Sequence, residues 1–214
     1  LLTETTLPEI MPEDDWQALS EAVRARGIPA VMAAKFRPWY LSMMLAIPAC
    51  AQAAMKEQNG LDIRLEALAK AAGVPTLPLE PYDTAFGIFN EAPLEEQVEM
   101  MSLSLATADQ GADGMATTVA AYFDERPGEM WALSGILTQR SDMVAPEEAK
   151  AMLDDTNEAL LAQRNRDWLP VILEAAATTE GPVIAAFGAA HLPGAEGVAQ
   201  LLEDEGFTLT REPF

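Results

Sequence analysis

Histidine and cysteine are nearly missing from this chain of 214 residues: each occurs once, as His191 and Cys50. One cysteine excludes an internal disulfide and any thiolate metal cluster. Cys50 lies in the apolar run Ile47-Pro48-Ala49-Cys50-Ala51, so it reads as a buried structural thiol, not a nucleophile. One histidine excludes an H-E-x-x-H zinc helix, and the sequence also holds no G-x-S-x-G elbow, no G-x-G-x-x-G turn and no phosphate loop. Basic side chains are scarce too, 13 against 34 acids, for a net charge of −21. Such a surface repels phosphate backbones, which sets nucleic acid aside as a partner. It also disfavours docking on anionic membranes. Its simplest role is a solvated, solubilising coat.

Long apolar runs are lacking as well. The stretch from Trp39 to Met55 is interrupted by Pro48 and Gln52. It falls short of the ~20 residues that a membrane span needs, so it reads as a core helix and no transmembrane segment is expected. The opening Leu1-Leu2-Thr3-Glu4-Thr5-Thr6 has no basic head, no long apolar stretch and no initiator Met. It is no signal peptide. The expectation is that the chain is an internal or C-terminal piece of something longer.

What is present suits a packed fold. Half of the residues are hydrophobic and 22% are charged, and a chain of this length buries ~70% of its unfolded surface. Leu1 to Thr5 reads as a short buried strand. Pro12-Glu13-Asp14-Asp15 opens a helix that Gly27 ends. Ile28 to Lys35 is a second helical piece, and Pro38 starts a third that Pro48 breaks. Leu61, Leu65, Leu68 and Ala72 share one face of a helix stopped by Gly73. Val74 to Leu79 then reads as a strand ending at Glu80. Pro93 to Arg140 is helical, with a polar turn at Asp109 to Gly114, and reads as an insertion; its methionines are core filling. Pro146 opens a long helix whose inner stripe runs through Met152, Leu153 and Leu160 to Arg164 and Trp168, with Pro170 disturbing its end. Pro182 to Phe187 reads as a strand, Ala195 to Glu205 as a helix capped by Gly206, and Phe207 to Arg211 as a last strand. Alternating helices and strands predict an α/β fold: a mixed, mainly parallel sheet flanked by helices. The division expected is one domain, 1–214, N-terminally incomplete, with a helical insertion at 93–140.

Three groups end predicted strands: Glu4, Glu80 and His191. In a parallel sheet they would meet at one carboxyl edge. Two carboxylates and an imidazole can ligate a divalent metal, or act as an acid–base pair beside a water. A cation in line with an apolar stripe needs a partner, so Arg164 is expected to hold an anion there or to neutralise Glu80.

These residues resemble a known family. Leu1-Leu2-Thr3-Glu4, Gly60-Leu61-Asp62 with Val74 to Glu80, Arg164-Asn165 with Trp168, and Phe187-Gly188-Ala189-Ala190-His191-Leu192-Pro193-Gly194 resemble, in order, the blocks of the TraB/GumN family. That family includes the TIKI metalloproteases and is similar in fold to erythromycin-esterase-like and ChaN-like proteins. Its pattern has two G-x-x-H motifs, and only the second, Gly188 and His191, is present here. The resemblance implies a metal-dependent hydrolase of peptidase type. His191 and Glu4 would belong to the site of a divalent ion (Mn, Co or Zn), Glu4 as ligand or general base and His191 as ligand and catalytic group; Glu80 and Arg164 would support it, Arg164 by steadying negative charge. The substrate would be a peptide or a small molecule, and the setting periplasmic or envelope-associated. The alternative is a catalytically incomplete regulatory or binding protein on the same scaffold. A third option, by fold analogy alone, is a small-molecule esterase. Oligomeric state, substrate and metal identity are not legible.

Overall fold

A computed structural model of the chain describes residues 1–48, 51, 60–106, 108, 111–139 and 145–212. In chain order the helices are α1 Leu7–Ile10, α2 Glu13–Ala25, α3 Ala30–Ala33, α4 Pro38–Ala46, α5 Leu61–Ala72, α6 Thr84–Glu91, α7 Leu94–Ala106, α8 Gly111–Phe123, α9 Pro127–Gln139, α10 Pro146–Asn157, α11 Gln163–Thr178 and α12 Val198–Asp204. A π-helical turn, Glu158–Ala162, joins α10 to α11, and a 3₁₀ turn, Ala189–His191, precedes α12.

None of the described residues forms a strand, which overturns the α/β expectation. Residues 74–79, 182–187 and 207–211 are non-helical, as expected, but residues 75–80, 182–187 and 208–212 make no backbone–backbone hydrogen bond among the described residues. A strand exists only through its ladder, and local composition cannot supply the second edge. Pro75, Pro78 and Pro182 also remove donors that a ladder would use. Leu1 to Thr5 is likewise no strand. Leu1 is exposed and Leu2 buried, and the Leu2 amide donates to the Lys35 carbonyl at 2.7 Å.

The chain forms two compact units, residues 1–58 with 86–119, and residues 59–85 with 120–214. In the first unit Leu7, Leu19, Val23, Leu41 and Met101 are wholly buried and join Leu2, Met11, Ala33 and Val98 in one apolar cluster. That cluster draws on α1, α2, α3, α4 and α7. The helices start and stop where the sequence puts their signals. Three acids fill the first turn of α2, where the helix dipole favours negative charge. Arg26, just past its end, donates to the Leu45 and Ile47 carbonyls at 3.1 and 3.2 Å and so caps the C-terminus of α4. Helix α4 stops at Ala46, ahead of Pro48. Cys50, Asp109, Gln110 and Arg140 lie outside the described residues.

In the second unit α5 ends as expected on Gly73, whose φ of 68° is left-handed and costs glycine nothing. Its predicted apolar face is not covered, however: no α5 residue is buried. Helix α11 runs straight through Pro170 to Thr178, so that proline does not end it. Gly197 precedes α12, and a Cβ there would collide with the main-chain oxygens of Leu192 and Pro193. The turn that carries His191 is thereby folded tightly against the start of the next helix.

Candidate functional site

Arg164 and Trp168 lie one turn apart on α11 and therefore share a face. Between them Asn165 points from an adjacent position. All three meet residues from far along the chain. The Arg164 guanidinium grips Glu80 in a two-pronged pair: Nη2 donates to Oε1 at 2.7 Å and Nε to Oε2 at 3.0 Å. The Trp168 indole nitrogen also donates to Oε2, at 3.0 Å. The guanidinium carbon stands 4.9 Å from the Trp168 ring centre, and Arg164 Nη1 donates to the Leu160 carbonyl at 2.8 Å. Burial by itself would raise the Glu80 carboxyl, but the bonds from Arg164 and Trp168 together outweigh it and hold the group below its usual range.

His191 sits against the other side of this pair. Its ring centre is 4.3 Å from that of Trp168 and 6.4 Å from that of Phe187. His191 Nδ1 lies 2.6 Å from Asn165 Oδ1. The Asn165 amide nitrogen is spent on the Glu196 carbonyl at 2.7 Å and the His191 carbonyl at 3.4 Å. This pattern assigns the ring proton to Nδ1 and leaves the lone pair on Nε2. That lone pair faces Arg164 Nη1 at 3.5 Å. Burial first, then the Arg164 charge, pushes the imidazole down to about 4, against a smaller opposite pull from Glu80. His191 is therefore neutral at neutral pH and accepts at Nε2. His191, Asn165 and Trp168 are all buried.

The structure thus brings together Glu80, Arg164 and His191, three of the four residues singled out by sequence. Glu4 belongs to the other unit. It is exposed in a bend before α1. Asn165 and Trp168 are the members that reasoning from charge and strand ends passed over. Their signals are the place of Trp168 on the apolar stripe after Leu160 and the block Arg164-Asn165-x-x-Trp168, which places a polar amide and an indole beside a cation on one helix.

Fixed positive charge opposes a divalent metal in this arrangement. An ion would have to share Glu80 with three donors, two from Arg164 and one from Trp168, and the lone pair of His191 faces a guanidinium. A cation there would meet fixed positive charge. No three histidine, cysteine or carboxylate side chains converge among the described residues. No helix of the described residues is long and apolar enough to cross a membrane, in line with the absence of a span in the sequence.

Compared with known proteins, residues 1–211 match the family model described as the TraB/PrgY/gumN family. No curated protein matches the chain, and no solved structure does.

Proposed function

The chain belongs to the TraB/PrgY/gumN family, and from that premise we propose that it works as a binding scaffold, with the Glu80–Arg164–His191–Asn165 network as a structural lock. One observation carries this reading: both nitrogens of His191 and both oxygens of Glu80 lie 2.6–3.5 Å from partners within the network. A general base or a metal ligand would have to share those positions with a fixed cation. The lock fixes the turn after residues 182–187. The main chain of that run has no backbone partner among the described residues, and Ile184 on it is 83% exposed. A non-helical partner segment laid alongside it would find both backbone groups and apolar side chains.

The experiment is metal analysis and peptide hydrolysis on the whole chain after incubation with Mn²⁺, Co²⁺ or Zn²⁺. The expected result is no stoichiometric ion after desalting and no turnover that His191→Ala removes. Stoichiometric metal together with hydrolysis, both lost in His191→Ala, would overturn it.

A second reading is the metal-dependent hydrolase, of peptidase type, which the family resemblance implies. What favours it is that Glu80 and His191 meet at one place although distant in sequence. It requires Arg164 to release Glu80, so Arg164→Ala should then raise metal uptake. Under the lock reading the same substitution only destabilises.

A further inference from the structure

The first unit contains a cavity that the network of Glu80, Arg164 and His191 does not touch. Leu1, Phe36, Arg37, Trp39, Tyr40 and Asn90 line about 220 Å³ at the start of α4. Its wall is aromatic. Phe36 and Tyr40 meet edge-on at 5.3 Å, Trp39 and Tyr40 at 5.7 Å, and Trp39 stacks on Phe89 at 5.4 Å with the planes 15° apart. The Trp39 indole nitrogen donates to Asn90 Oδ1 at 2.9 Å. That bond fixes the amide and leaves Asn90 Nδ2 as a donor.

Arg37 is the charged member of the wall. Its guanidinium has no acid partner and no hydrogen-bond acceptor among the described residues, as is also true of the side chains of Arg24, Arg64 and Lys70. It also stands at the N-cap of α4, whose first turn contains no acid. A cation at that end is opposed by the helix dipole, so what the position lacks is negative charge.

We propose that this cavity binds a small planar aromatic carboxylate. The ring lies against Trp39 and Tyr40. The carboxylate takes the fork of Arg37, which matches its two oxygens, and Asn90 Nδ2 donates beside it. The volume is below the ~300–1,000 Å³ of sites for drug-sized ligands, which limits the ligand to one or two rings. The binding is independent of the function read for the second unit, which contributes no residue to the cavity.

The test is calorimetric titration of the whole chain with benzoate and with indoleacetate, and with neutral indole-ethanol as the control. Saturable binding of at least one carboxylate is expected near or below ~1 mM, with the neutral control at least about tenfold weaker. Arg37→Gln should weaken the carboxylate at least about tenfold and flatten its salt dependence. Trp39 also packs on Phe89, so Tyr40→Leu, at the more exposed ring, is the second variant; it should weaken both carboxylates while the melting temperature holds. No saturation by either acid below ~10 mM would overturn the proposal. So would equal binding of the neutral control, or unchanged affinity in Arg37→Gln.

Discussion

The Glu80–Arg164 pair shows how a charge is kept at a largely buried position: its side chains are only 21% and 17% exposed, and each polar atom of the carboxylate has a donor. Removing one partner strands the other. Glu80→Gln or Arg164→Gln should therefore cost about 2 kcal/mol in urea unfolding, below the usual range for fully buried pairs because some solvent reaches this one. The double variant should be more stable than the sum of the singles implies. His191 makes stability depend on pH. Its proton is bound near pH 6.5 when unfolded and only near 4 when folded. The unfolded state binds more protons between those values, so stability is complete above the upper one and falls as pH drops toward the lower. The loss should reach at most roughly 3 kcal/mol. Glu80, held below its usual range, adds a loss of the same sign at more acid pH. Melting curves near neutrality and at about pH 5 check the direction, and the single imidazole resonance reports the titration without overlap.

At the level of elements, buried and bare helices predict opposite outcomes. Leu41 on α4 is wholly buried and Leu68 on α5 is 66% exposed. Leu41→Ala should cost about 2–5 kcal/mol, and Leu68→Gln should stay within ~0.5 kcal/mol; denaturant midpoints decide. The same contrast marks what sequence could say. Helix ends were legible because their signals are local: acids opening α2, Gly73 closing α5, Pro38 starting α4. The sheet was misread because a strand is a relation between two segments, and apolar runs such as Pro182 to Phe187 declare only half of it. The stripe on α5 told which face is apolar but not that something covers it. Within the site, Arg164 announced its need for an acid by interrupting an apolar stripe. The part played by Asn165 was hidden, since it depends on a turn 26 residues later in the chain.

Over the whole molecule a net charge of −21 works against the compact state through self-repulsion. Screening should relieve it, so the melting temperature is expected to rise between low salt and ~0.5 M, where the Debye length is only a few ångströms. A flat or falling response in calorimetry would show that paired charges matter more than net charge. The order of the chain has another effect. Each unit is assembled from two separated stretches, with residues 59–85 and 86–119 interleaved between them. During synthesis the stretch bearing Glu80 leaves the ribosome before the second half of the first unit exists, and 84 residues before its own partner, Arg164. It must therefore wait as an unclosed loop. A chain cut after residue 119 carries the whole first unit but also residues 59–85 without the rest of theirs. A fragment ending before residue 164 leaves the early acid without its cation, and one ending before residue 191 leaves Arg164 and Trp168 without the imidazole beside them.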